Sequence, residues 1–236
     1  MLRVPGLVIL GLALAAMPCR AEEDPWGEAG HKIDLGDGFL QDGRISRALE
    51  FYEWALRLAP DWWKPHHRVG EALRRAGSPL DVVLGHFRRA LEASPGVFVV
   101  WWSMGQACEA AGDWEGAERG YREALAVSGP TAVLLVRLAA ALLEQRRWEE
   151  ARQVLGEAVR FNPGPAAFHH LARLAREDGN VAEEEGCLRV LLRRAPDPAP
   201  YASRLGILLQ QTGRPEAAER LARWLSGDRR TPPPER

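Results

Sequence analysis

The sequence predicts an all-α fold, a solenoid of about six helix-turn-helix units. Three observations predict it. Apolar residues fall three and four positions apart over short stretches, which is the spacing of one helix face. Gly- and Asp-bearing breaks separate those stretches, and both residue types interrupt or restart a helix. The pattern also recurs at a nearly fixed period. One position of the second helix is held by Ala48, Val83, Ala117, Ala151, Glu184 and Ala218, in steps of 35, 34, 34, 33 and 34 residues. Three more markers keep the same register. A ring or leucine follows four residues later at Tyr52, Phe87, Tyr121, Leu155 and Leu188. A small residue of the first helix stands at Gly36, Gly70, Gly105, Ala139, Ala172 and Gly206. Closing prolines stand at Pro60, Pro95, Pro163 and Pro196. A period of this length marks units that bury their apolar faces only by stacking.

The clearest unit runs over residues 98–131. Trp101, Met104, Gly105 and Cys108 share a face of its first helix. Gly112-Asp113 breaks the pattern, and Ala117, Tyr121 and Ala124 line a second helix that stops at Ser128-Gly129-Pro130. Small side chains at Gly105 and Ala117 predict a close crossing of the two helices. The order Trp101-x2-Met104-Gly105-x2-Cys108, then Ala117-x3-Tyr121, resembles the tetratricopeptide repeat. That resemblance covers some 200 residues. It implies a right-handed superhelix whose first helices line a concave groove that grips an extended segment of a partner.

In chain order, the units are expected at 29–62, 63–97, 98–131, 132–165, 166–198 and 199–230, after a short lead at 22–28. The first carries Lys32 where the leading Trp belongs, as terminal repeats often depart from the pattern. The second has an extra turn residue in Ala76-Gly77-Ser78-Pro79, with Pro79 opening its second helix. Leu135, Leu138, Ala139 and Leu142 stripe the fourth. In the fifth, Glu184 replaces the small residue. A charge at a helix crossing is costly unless it tips outward, so this unit is expected to be the loosest. Leu205, Gly206 and Leu209, then Ala218, Leu221, Ala222 and Leu225, line the sixth. No capping helix follows, and residues 231–236 read as a disordered Pro-rich tail.

With 236 residues, 46% of them apolar, the chain can bury a large core. A net charge of -1 argues against nucleic acid as a bulk electrostatic partner. Arg3 followed by an apolar run over 4–17 reads as an export signal cleaved after Ala21, since the run is short for a membrane span. Lipid attachment at Cys19 fits less well, because Met17 and Pro18 stand where small residues belong; an uncleaved anchor is the remaining alternative. These readings place the protein in an exported compartment, periplasmic or secreted, with no span in the mature chain. Cys108 and Cys187 fall two units apart on core stripes, too distant for a disulfide, so they read as small buried residues.

No catalytic motif emerges. Glycine-rich phosphate loops, His-Glu-x-x-His and Cys-x-x-Cys are all missing from the sequence. In the pairs His66-His67 and His169-His170, adjacent helical side chains diverge. His67 and Glu71 would supply only two ligands to a metal. The expectation is therefore neither an enzyme nor a cofactor carrier. The family register instead points a set of side chains into the groove. These are Lys64, His67 and Glu71 in the second unit, Trp102, Gln106 and Glu109 in the third, and His169, Arg173 and Arg176 in the fifth. Val133, Val136 and Ala140 of the fourth form an apolar patch between them. An aromatic and arginine surface suits a partner segment with apolar and acidic residues. Bland readings stand beside this one: Trp102 as packing between first helices, and Arg173 and Arg176 as a solvated face. Asn162 and Asn180 both fall outside first helices, so the carboxylate clamp known in the family is not expected. The leading function is a non-enzymatic binding scaffold in an exported assembly or secretion complex. The alternative is a self-associating structural protein.

Overall fold

The computed structural model describes residues 25–162 and 164–226, which form twelve helices and no strand. The expected leader, Pro163 and the Pro-rich tail lie outside the described residues. Six antiparallel pairs follow one another. They are α1 (Pro25–Gln41) with α2 (Ile45–Leu58), α3 (Trp63–Arg75) with α4 (Leu80–Ala93), and α5 (Phe98–Ala111) with α6 (Trp114–Ser128). Then come α7 (Ala132–Glu144) with α8 (Trp148–Phe161), α9 (Pro165–Glu177) with α10 (Val181–Arg194), and α11 (Ala199–Gln211) with α12 (Pro215–Leu225). Each pair packs on the next in chain order, and the buried core forms three clusters along the array, bridged by the half-buried Leu73 and Leu171. Helix α1 starts earlier than the expected lead allowed, because Trp26 packs edge-on against Trp62 at 4.9 Å and extends the helix.

One turn serves all six pairs. A residue with positive φ closes the first helix at Gly43, Gly77, Gly112, Arg146, Gly179 and Gly213. The next backbone N–H reaches back five residues, as in Arg44 to Phe39 (2.8 Å), Asp113 to Cys108 (2.9 Å) and Arg214 to Leu209 (2.8 Å). This satisfies carbonyls that a helix end would leave bare. Asp113 and Asn180 then cap the second helices, accepting from the N–H of Gly116 at 2.9 Å and of Glu183 at 3.3 Å.

Within each pair the contact is set by volume. A Cβ placed on Gly36, Gly70 or Gly105 would lie 2.5 Å from the ring of Tyr52, Phe87 or Tyr121. Each ring is fully buried and lies on bare helix backbone. Where the first helix has Ala139 or Ala172, the second has the smaller Leu155 or Leu188, so the summed volume is kept. The close crossing in the third pair falls at Gly105 and Gly120, where a Cβ on Gly120 would meet the Gly105 nitrogen at 2.6 Å; Ala117 is buried one turn away. At Gly206 of the last pair there is nothing within 4 Å.

First helices approach one another: α1 packs on α3, α3 on α5 and α7 on α9. Consecutive second helices do not pack on each other this closely among the described residues. First helices therefore occupy the inner, shorter arc of the curve, and their exposed stripes form one continuous face.

Two predictions follow from this packing. Gly105→Ala lowers the urea-denaturation midpoint, because overpacking costs about 1–3 kcal/mol against a helix-propensity gain of about 1 kcal/mol. Gly206→Ala, with open space around it, raises the midpoint by that propensity gain. Equal effects at the two sites would contradict the volume argument. Arg146 alone places a side chain in the left-handed turn, so Arg146→Gly is expected to stabilise the chain by up to about 1 kcal/mol, read as a rise in the same midpoint.

Candidate functional site

Among the described residues, three hollows follow one another along the first-helix face. The first, about 250 Å³, is lined by Arg74, Gln106, Glu109, Ala110 and Arg137. The Tyr121 hydroxyl donates to Glu109, and Glu109 Oε1 accepts from Arg137 of the next repeat at 2.8 Å. Burial, with the Glu109 carboxylate beside it, pushes the Tyr121 hydroxyl well above the usual phenol range, so it remains a donor. The same chain occurs at the other end, where Tyr52 donates to Asp37 at 2.6 Å and Arg68 pairs with Asp37 at 2.9 Å.

The second hollow is apolar and encloses about 410 Å³ between α7 and α9. Val133, Val136, Ala140, Pro165 and Ala167 line it, with Arg137 and His170 at its edges. Val133 is 63% exposed. Burial pushes His170 down to about 4, so its ring is neutral at physiological pH.

The third hollow, about 270 Å³, lies between α9 and α11 and is cationic. His169, Arg173, Arg176, Tyr201 and Arg204 surround it. Glu184 lies beneath, only 2% exposed. Its carboxylate accepts from Arg204 at 2.7 and 3.1 Å and from Arg176 at 2.9 Å. Burial opposes the charge on Glu184, but those hydrogen bonds outweigh it and hold the carboxyl below its usual range. The expectation that Glu184 tips outward or loosens its repeat is therefore corrected. Two arginines from neighbouring elements reach in and satisfy it. Arg173 pairs with Glu144 at 3.1 Å.

The sequence-derived groove set divides over this face. Gln106 and Glu109 meet in the first hollow, Val136 stands in the second, and His169, Arg173 and Arg176 surround the third. Lys64, Glu71 and Trp102 line none of the three. Lys64 sits beside the Trp62 ring at 5.4 Å, and Glu71 is tied to Arg74 at 2.8 Å. Trp102 is half-buried against Tyr121 and Phe98, with ring centroids 5.5 and 6.4 Å away, so it is groove floor. His67 is corrected more strongly. It is 4% exposed, shares a 3.0 Å hydrogen bond with Ser103, and is pushed down to about 4 by burial. A neutral, enclosed ring holds α3 to α5 and offers nothing to a partner. The residues missed from sequence are Arg137, His170 and Arg204. All stand two positions before the small first-helix residue, as does Arg68. That recurrence of arginine was the available signal.

Burial pushes the Cys108 and Cys187 thiols up to about 11, and both are free. Among the described residues, no group of three or more His, Cys, Asp or Glu side chains could hold a metal ion.

Family models described as tetratricopeptide repeat match residues 33–97 and 110–175. The chain belongs to the tetratricopeptide repeat family. Solved structures of tetratricopeptide-type proteins share its fold at low identity. The Pseudomonas aeruginosa pilF structure superposes with a TM-score of 0.70 at 16% identity, covering 88% of this chain and 95% of that one. PilW, described as a type IV pilus biogenesis factor, gives 0.65 at 19%, covering 84% and 92%. YrrB, described as having an unusual peptide-binding site, gives 0.60 at 16%, covering 72% and 88%. Among curated proteins, a Drosophila melanogaster protein O-mannosyl-transferase, Tmtc2, is 47% identical over 57 residues. That is 24% of this chain and only 6% of the relative's length.

The buried ion cluster generates a prediction with a definite sign. Removing Arg204 takes two of three hydrogen bonds from the buried Glu184 carboxylate and leaves it to Arg176 alone, which costs about 2 kcal/mol at neutral pH. Glu184→Ala costs less, because it restores the small residue of other repeats and leaves arginines that reach water. The folded-state pKa of Glu184 is depressed, so the pair's contribution is complete above the usual carboxylate range and is lost as pH falls below it. Thermal melts of Arg204→Leu against wild type should therefore converge in acid. A gap that persists there would contradict the assignment.

Proposed function

We propose that this tetratricopeptide repeat chain is a non-enzymatic scaffold that holds an extended segment of a partner protein along its first helices. The observation that carries this reading is the row of three hollows, mixed-charge, apolar and cationic, on one continuous face. Ion pairs between neighbouring repeats fix that face before anything binds, so association loses little ordering entropy. The partner segment carries apolar and acidic residues. Nucleic acid is not favoured, given the net charge.

We assign the work to an exported assembly or secretion complex, in the periplasm or outside the cell. The support is Arg3 and the apolar run over 4–17, together with the fold shared with a pilus biogenesis factor. No described helix is long and apolar enough to cross a membrane. The second reading, self-association, rests on the last repeat. Leu225 is 40% exposed, whereas Ala55, Ala90, Ala124, Ala158 and Leu191 at the same register are buried.

The test is a crosslinking pull-down with wild type, a groove variant (Gln106→Arg with Arg173→Glu) and an outer-face variant (Glu157→Arg with Arg220→Glu). Capture of a specific partner should fall by about tenfold or more in the groove variant alone, as expected for the loss of about 1.4 kcal/mol. Equal loss in the outer-face variant, or no loss in either, would overturn the groove assignment.

A further inference from the structure

We propose that the second and third hollows together read one short motif: an apolar residue and a carboxylate three positions apart in a polyproline II segment. This deepens the groove reading and rests on it.

The chemistry of each hollow selects its occupant. The space between α7 and α9 is walled by Val133, Val136, Ala140, Pro165 and Ala167, so an aliphatic or aromatic side chain gains by filling it. The space between α9 and α11 is surrounded by three guanidiniums. Among the described residues, Arg173, Arg176 and Arg204 pair with two carboxylates, Glu144 and Glu184. Glu184 is already engaged on both oxygens, since one accepts from both arginines and the other from Arg204 again. Each guanidinium has five N–H donors, so several remain to be filled. The Tyr201 hydroxyl lies 3.4 Å from His169 Nδ1 at the same rim, which adds a neutral hydrogen-bonding edge. Burial and the nearby Arg173 and Arg176 push His169 below its usual range, so it does not add to the positive charge at neutral pH. The unmatched charge is therefore positive, and it suits a carboxylate.

Geometry sets the spacing. Helix α9 is shared, with His170 on one hollow and His169 on the other. Helix α9 packs on α7, and on its other side the His169 ring lies 5.9 Å from the Tyr201 ring of α11; helices in contact lie about 8–10 Å apart, so the two hollows are about one such spacing apart. A polyproline II chain rises about 3.1 Å per residue with three residues per turn, so positions i and i+3 share a face about 9 Å apart. In a β-strand, same-side residues are two or four apart, about 7 or 13 Å, and neither matches.

The experiment is selection from a random-peptide phage library against the full chain, followed by anisotropy with the enriched peptides. Wild type is compared with Val133→Asp and Arg173→Glu. Both substituted side chains are substantially exposed (Val133 63%, the Arg173 side chain 41%), and circular dichroism checks that the helices persist. We expect enriched peptides to carry Asp or Glu three residues from an apolar residue. Each variant should weaken them by about tenfold or more. Enriched peptides without that spacing that still weaken on Val133→Asp would overturn the motif while leaving the groove. Peptides indifferent to both variants would overturn both. A library yielding no binder overturns the motif, and the pull-down above still decides the groove.

Discussion

The flat ring of a second helix lying on the bare backbone of a first helix is the contact on which the array depends. Tyr52 on Gly36, Phe87 on Gly70 and Tyr121 on Gly105 set how closely and at what angle each pair crosses. Helices joined by one recurring turn would otherwise be free to slide. Filling the seat with a Cβ is impossible without moving a buried ring. Later pairs keep the summed volume with Ala and Leu, and the last has small residues on both sides, Gly206 and Ala222. In that last pair the seat is open, with nothing within 4 Å of a Cβ on Gly206.

Two of those rings do a second job. Their hydroxyls reach the groove side and donate to Asp37 and Glu109, which bind Arg68 and Arg137 of the next repeat. Core packing and groove electrostatics are coupled at these points. The fifth repeat has no tyrosine in that seat, and its acid comes from the second helix as Glu184. Arg204 performs the same reach from the same register. An arginine two places before the small residue is therefore the device that joins successive repeats along the working face.

The fold was legible because its determinants are local and periodic. Small residues, rings, turn glycines and closing prolines recur at one spacing, and each acts on its near neighbours. The groove was only partly legible. Stripes at one register found Gln106, Glu109, Val136, His169, Arg173 and Arg176, which do line hollows. They also gave His67, because nothing local reveals that Ser103, one repeat away, encloses it. The arginines that shape the hollows were missed because their partners lie on other repeats. Glu184 was misjudged for the same reason: a single helix shows the charge at the crossing but not the two guanidiniums that meet it.

The central claim is that the inner face of first helices does the binding and the second helices support it. Hydrogen–deuterium exchange on the chain with and without its captured partner tests that most directly. The account predicts new protection confined to α5, α7, α9 and α11, with α6, α8 and α10 unchanged. Protection concentrated on the second helices, or only on α12, would contradict it and move the working surface to the outer face or the last repeat.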